Sequence, residues 1–226
     1  MSTSNDSGDA APRFHTDTFE KMGPARREAL LSVALGEFAA NGFNGTSINA
    51  LARKAGVSIG ALYSYFPSKE DLFLTVVGMG RSLLAEALAD LDPGEPFMDV
   101  YASLVRKARD YARANPELNL VYLDATTQGL RHLSSRLSGS LETLTVDFYY
   151  RAIAAAVERG ELRRGLDVGA AAFCLDNILL LFQFSFASDY FRDRLRLFLG
   201  LGEGGALDEE AVMAAIVDFA RRALRA

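Results

Sequence analysis

The chain has 226 residues, half of them hydrophobic, and a formal net charge of −5 at neutral pH. This length and apolar content predict one or two domains with a substantial core, and the acidic balance argues against indiscriminate nucleic-acid binding. The single cysteine, Cys174, excludes an internal disulfide and is consistent with a cytoplasmic protein. Strand signals are sparse and good helix formers dominate, which predicts an all-α fold.

The first twenty residues are polar and rich in Ser and Asp, without the apolar core of a signal peptide. This composition predicts a disordered tail over residues 1–20. Such a tail is either simply solvated or adds loose DNA contacts through Arg13. A first helix is then predicted from Pro24, which suits a first-turn position, to the break signal at residues 41–42.

Residues 47–66 have the pattern of two short helices joined by a tight turn. Ser47 can cap the first helix, Gly56 suits its C-terminal end, and Ser58 can cap the second helix. Pro67 disfavours helix in the residue before it, so the second helix ends near position 66. Two such helices form a helix-turn-helix, whose second helix can enter a DNA major groove.

The surface of the second helix is unusual for a plain helical hairpin. Gly60 costs helix stability but lets another backbone approach closely. Nearby hydroxyl and ammonium groups could bind phosphates, while small apolar side chains could contact base edges. The predicted DNA-binding residues are Thr46, Ser47, Ser58, Ile59, Gly60, Ala61, Tyr63, Tyr65 and Lys69.

These residues carry a family resemblance. The run Gly-Val-Ser-x-Gly-x-Leu-Tyr-x-Tyr-Phe-x-Ser-Lys-Glu-x-Leu-Phe, from Gly56 to Phe73, resembles the DNA-binding domain of TetR/AcrR-type transcriptional regulators. The resemblance covers roughly residues 24–77. It implies an N-terminal three-helix head over residues 21–70 and a larger helical body for ligand binding and dimerisation over residues 71–226.

One position departs from this pattern. Asn49 stands where the family often has a basic residue, so one phosphate or base contact is missing. The resemblance otherwise implies a homodimer that binds a pseudo-palindromic site on double-stranded DNA, because two recognition helices related by a two-fold axis read two half-sites.

A long helix is predicted from residue 68 to about residue 91, joining the head to the body. Gly78 and Gly80 lie near its middle and weaken it locally. Two interpretations remain open: the glycines form a flexible joint, or they allow close packing against a neighbouring helix.

The body is predicted to contain six further helical stretches. Their predicted ranges are 97–114, 117–131, 135–159, 167–187, 189–199 and 208–225. The resemblance implies that the stretches 167–187 and 208–225 form a four-helix interface with their copies in a second protomer. Apolar residues that support this interface are Phe173, Ile178, Leu180, Leu181, Phe184, Ile216 and Phe219.

The resemblance also implies a pocket for a small, mainly apolar effector, enclosed by the helices between residues 68 and 159. The predicted lining residues are Tyr101, Tyr122, Thr126, Phe148 and Tyr149, with Phe97, Tyr111, Gln128 and His132 as further candidates. The alternative interpretation is an ordinary aromatic core. A repressor of this kind is expected to leave DNA when the effector tilts the helix that joins head and body.

The sequence predicts no enzyme, cofactor or metal site. The two histidines are far apart, one cysteine cannot form a zinc set, and no phosphate-binding glycine motif occurs. Cys174 is expected to be a small core residue. The apolar stretch 168–187 is interrupted by polar residues such as Asp176 and Gln183, which favours a core or interface helix over a membrane span. A helical protein-interaction module, or a regulator without a small-molecule effector, remains the alternative.

Overall fold

A computed structural model of the protein describes residues 13–127, 133, 142–202 and 205–225. Within these ranges the chain forms eleven α-helices and no β-strand, which confirms the predicted all-α fold. The helices are α1 Asp17–Glu20, α2 Pro24–Gly45, α3 Ile48–Lys54, α4 Ile59–Tyr65, α5 Lys69–Ala89, α6 Phe97–Ala114, α7 Pro116–Thr127, α8 Glu142–Glu158, α9 Val168–Ala187, α10 Asp189–Phe198 and α11 Glu209–Leu224. The predicted helical residues 128–131 and 135–141 lie outside the described ranges.

The helix-turn-helix of α3 and α4 is defined by local capping interactions. The Ser47 hydroxyl accepts a hydrogen bond from the Ala50 amide at 3.4 Å, and the Ser58 hydroxyl accepts one from the Ala61 amide at 3.0 Å. Gly56 has a φ of 66°, a left-handed conformation that glycine adopts without strain. The two short helices therefore begin and turn where the sequence predicts.

Residues 13–20 are ordered against the head, so the prediction of a disordered tail over residues 1–20 is wrong for this part. The Thr16 amide donates a hydrogen bond to the Tyr65 carbonyl at 2.9 Å, and the Thr16 hydroxyl donates one to the Ser64 carbonyl at 2.7 Å. Phe19 is buried with its ring centroid 4.7 Å from that of Phe66. The segment thus satisfies two carbonyls at the C-terminal end of α4, which helix ends otherwise leave without donors.

Arg13, for which loose DNA contacts were the alternative to a solvated tail, interacts with acidic side chains of its own segment. Its guanidinium forms ion pairs with Asp17 at 2.5 Å and Glu20 at 3.4 Å. Residues 1–12 lie outside the described ranges.

The head and the body share one hydrophobic cluster rather than meeting at a thin linker. Leu72, Phe73, Val76 and Val77 of α5 pack into the head, as predicted, and their burial accounts for the apolar first half of this helix. Helix α7 contributes further to the same cluster and packs along α2. The predicted boundary near residue 70 therefore separates two segments of the sequence, but one hydrophobic core includes residues from both segments.

A hydrogen bond also joins the head to the body. Helix α2 is interrupted at Gly42, with φ 66° and ψ 171°, and a final helical turn restarts at Phe43. This break leaves the Phe43 amide available, and it donates a hydrogen bond of 2.6 Å to the Asp124 carboxylate on α7. The carboxylate acts as a helix cap supplied by another helix.

A second hydrophobic cluster forms the core of the body from parts of α6, α8, α9 and α11. Helices α5 and α9 are long and apolar enough to cross a membrane by length and composition alone. Each of them contributes residues to a hydrophobic cluster of the fold, which accounts for their apolar character.

Candidate nucleic-acid interface and internal cavity

The predicted recognition helix α4 presents a small exposed face. Ile59 and Tyr63 expose 43% and 47% of their surfaces, which is high for large apolar or aromatic residues. Gly60 is exposed between them, and a Cβ built on it would contact nothing within 4 Å. A DNA groove could therefore approach this face closely. The face also includes Ser58, at the start of the helix, and the half-buried Ala61.

Thr46 does not join this surface, contrary to its predicted role as a phosphate contact. The residue is buried, and its hydroxyl lies 2.7 Å from the Gly42 carbonyl and 3.1 Å from the Glu37 carbonyl. Since the hydroxyl donates to backbone carbonyls inside the head, Thr46 closes the end of α2 instead. Ser47, the adjacent cap of α3, is exposed.

The remaining predicted residues are only partly exposed. The Tyr65 ring packs against the head core, with its centroid 6.2 Å from that of Phe19. Lys69 begins α5, and its ammonium lies 4.8 Å from the centroid of the Phe43 ring. Partial burial lowers the pKa of the Lys69 ammonium, an effect that neighbouring Glu70 opposes. Lys69 thus lies at a helix N-terminus, where backbone amides also favour an anion.

Basic side chains follow at the end of α3. Lys54 forms an ion pair with Glu37 of α2, whereas Arg53 is exposed on the same turn. Arg53 was not among the predicted contacts, although the sequence places two cations in this last turn. Its exposure beside the α3–α4 face adds a positive group to the candidate surface.

The body contains a cavity that opens to solvent. Helices α5, α6, α7, α8 and α9 contribute to its wall. Most of the wall is apolar, with Val77, Leu84, Leu88, Leu104, Leu118 and Leu179 as its main apolar residues. Polar groups make up the smaller part of the wall, as in typical small-molecule sites. They are Lys107, Asn119, Thr145, Asp176 and Gln183, together with Tyr111, Tyr122 and Tyr149.

Only some of the predicted lining residues lie in the cavity wall. Tyr122 and Tyr149 line the cavity, as does the further candidate Tyr111. Tyr101 and Phe148, together with Phe97, are instead buried in the second hydrophobic cluster. Thr126 is exposed, with its hydroxyl 3.1 Å from the Tyr122 and Leu123 carbonyls of its own helix. Gln128 and His132 lie outside the described ranges.

Sequence reasoning missed the two most informative polar wall residues. Asp176 and Gln183 interrupt an otherwise apolar helix, which was the available signal, but it was used only to argue against a membrane span. The Asp176 carboxylate raises the pKa of the Tyr149 hydroxyl, although burial is the larger cause.

The two mid-helix glycines of α5 have different surroundings. A Cβ on Gly78 would contact nothing within 4 Å, whereas one on Gly80 would lie 3.2 Å from the Tyr111 hydroxyl. Gly80 also lines the cavity. Close packing therefore explains Gly80, and the joint interpretation applies to Gly78 alone.

An apolar face remains exposed on α9 and α11. Phe173 exposes 70% of its surface and Phe219 exposes 63%, and Leu181 is also exposed. Phe184 is buried within the protomer and Leu180 lines the cavity, so these two do not belong to the predicted interface. Cys174 is exposed next to Phe173, which contradicts the expectation of a core cysteine.

Comparisons with known proteins show which family the head resembles in sequence. Residues 30–76 match the family described as "Bacterial regulatory proteins, tetR family". The HTH-type transcriptional regulator RutR of Escherichia coli strain K12 is 33% identical over 144 residues, which are 61% of this chain and 65% of RutR. The match thus spans less than two thirds of that relative's length.

Two solved structures share the fold across most of the chain. The transcriptional regulator FadR from Bacillus subtilis, in complex with stearoyl-CoA, has a TM-score of 0.70 and 17% identity, and the similarity covers 88% of this chain and 99% of FadR. AibR, in complex with isovaleryl coenzyme A and operator DNA, has a TM-score of 0.59 and 18% identity, covering 86% of this chain and 97% of AibR. The head is thus a domain of the tetR family of bacterial regulatory proteins, and most of the chain shares the fold of these two regulators.

Proposed function

We propose that the protein is a cytoplasmic transcriptional repressor that binds a pseudo-palindromic operator as a homodimer and is released by a small, mainly apolar effector. The observation that carries the proposal is the exposed face of α4 around Gly60, held by capped short helices in a family-matched head. AibR, which has the same fold, binds operator DNA.

The exposed face of α9 and α11 supports the dimer. Large apolar groups at Phe173, Leu181 and Phe219 gain free energy when a second copy covers them. A two-fold axis through this face would relate the two α4 helices by symmetry, as a pseudo-palindromic site requires. The contact is then isologous, with the same patch on both protomers.

The mostly apolar cavity supports the effector. Its mostly apolar wall suits a small, mainly apolar molecule. FadR and AibR, which share the fold, bind acyl-CoA compounds in their structures.

The connection between cavity and head supports release. Helix α5 runs from the head through the cavity wall, as expected from the sequence. It is not the only connection, because α7 carries Tyr122 in the cavity wall and Asp124 on the head. An effector that binds the two head orientations unequally changes DNA affinity, and DNA must change effector affinity by the same factor.

The test is fluorescence anisotropy with labelled duplexes from the region upstream of the protein's own gene. We expect salt-sensitive, sequence-specific binding with two protomers per duplex. Gly60→Leu should abolish binding without unfolding the head, because position 60 is open to solvent but would project a side chain into the groove. Equal affinity for all duplexes would contradict the proposal and favour an interaction module.

A regulator without a small-molecule effector is the second candidate. It would bind the same duplexes, but no apolar compound that raises the melting temperature of the protein would lower its DNA affinity.

A further inference from the structure

Helix α4 lacks the side chains that most often distinguish base pairs by hydrogen bonds. All seven residues of this helix are described, and none of them carries a side-chain amide, a carboxylate or a cationic group. The usual direct contacts with guanine, adenine and cytosine use side chains of these three kinds. Helix α4 must therefore distinguish bases by its hydroxyl groups or by apolar contact.

The serine hydroxyls of this face are already engaged in the local structure. The Ser58 hydroxyl accepts a hydrogen bond from the Ala61 amide at 3.0 Å, and the Ser64 hydroxyl donates one to the Ala61 carbonyl at 2.7 Å. A serine hydroxyl also pairs with more than one base edge, so it discriminates poorly between bases. Tyr63 adds a phenol hydroxyl that suits a phosphate oxygen, and phosphate contacts carry no direct sequence information.

Ile59 supplies the large aliphatic group of this face. It begins α4, exposes 43% of its surface and belongs to neither hydrophobic cluster of the described residues. Recognition helices of this motif contact base edges with their first residues. Gly60 follows without a side chain, so the helix backbone can come close to the bases and bring the Ile59 methyl groups with it. Ala61 is half-buried and offers a single methyl group.

We propose that Ile59 reads the 5-methyl group of thymine in the major groove, so that each half-site of the operator has an A·T pair opposite the start of α4. Thymine is the one base of DNA that carries a methyl group at this edge. The contact removes an exposed isoleucine side chain and a methyl group from water, which favours binding. The inference depends on the proposed DNA-binding function and specifies what the recognition helix reads.

The test on the DNA side removes this methyl group and leaves the base pair intact. The full-length protein first selects a duplex from a library of random sequences, and each thymine of that duplex is then replaced in turn by deoxyuridine. Fluorescence anisotropy should show a loss of affinity of about fourfold at one or two thymine positions in each half-site, as expected for one buried methyl group. Replacement of the thymines elsewhere should leave the affinity unchanged.

The test on the protein side removes the other partner of the contact. Ile59→Ala should bind the thymine and deoxyuridine duplexes with equal affinity, because the aliphatic group that meets the methyl is gone. The melting temperature of this variant should not fall, since Ile59 is exposed and alanine favours helix. Tyr63→Phe is the matched control on the same face. It should weaken binding to both duplexes by the same factor and keep the preference for thymine.

Two results would overturn the inference and leave the proposed DNA-binding function in place, because the selected duplex is still bound specifically. One is an unchanged affinity after every deoxyuridine replacement. The other is a preference for thymine that persists in Ile59→Ala, which would assign the methyl contact to another group such as Ala61. A protein that selects no duplex from the library would contradict both the inference and the proposed function.

Discussion

The hydrogen bond between Asp124 and the Phe43 amide gives a sharp prediction about how the body holds the head. The bond is 2.6 Å long, and a carboxylate that accepts from a backbone amide contributes about 1.5–3 kcal/mol. Asp124→Ala should therefore lower the free energy of unfolding by about 1.5–3 kcal/mol. Asp124→Asn keeps an acceptor without the charge and should lower it by about half as much.

Urea unfolding followed by circular dichroism measures these differences, and hydrogen exchange of the Phe43 amide reports the bond directly. Thr126→Ala is the matched control on the same helix, because its hydroxyl bonds only carbonyls of α7 and its loss should cost less than about 0.5 kcal/mol. The reasoning is refuted if Asp124→Ala costs no more than the control and the Phe43 amide exchanges at its wild-type rate. Asp124→Ala should also reduce the loss of DNA affinity that the effector causes.

Three further predictions concern the DNA surface, the joint and the dimer. Lys69→Ala should weaken binding to all duplexes and lower the slope of log affinity against log salt by about one; an unchanged slope in titrations at several salt concentrations would remove this ammonium from the phosphate contacts. Gly78→Ala should stabilise α5 by about 1 kcal/mol without a steric contact and reduce the effect of the effector on DNA affinity, measured by anisotropy with and without the effector; full retention of the effect would place the joint elsewhere. Phe219→Asp should convert the dimer to a monomer, as measured by sedimentation velocity. Val146→Asp, at an exposed apolar site on α8, should leave the mass unchanged. A monomeric wild type at micromolar concentration would rule out the dimer.

The sequence predicted the structural features that depend on contacts between residues close together in the chain. Ser47, Gly56 and Ser58 determine helix ends through contacts within a few positions, so their roles follow from the chain itself. The apolar first half of α5 was also predictable, because helical spacing places it on one face.

Residues whose partners are distant in sequence could not be assigned in this way. Asp124 contacts a residue 81 positions earlier, and no local pattern indicates that pairing. Phe148 and Tyr149 are adjacent and both buried, yet only Tyr149 reaches the cavity. Thr46 was predicted to face DNA because hydroxyls bind phosphate, but its hydroxyl satisfies the kinked end of α2.

The bonds between Thr16 and the last turn of α4 have a consequence for where the DNA-binding unit begins. The family match starts at residue 30, but a fragment cut there would lack the donors for the Ser64 and Tyr65 carbonyls. It would also uncover Phe66, which Phe19 now shields. A minimal head has to include residues 13–20. A fusion partner attached immediately before this segment would lie close in sequence to Thr16, which bonds the last turn of the recognition helix α4.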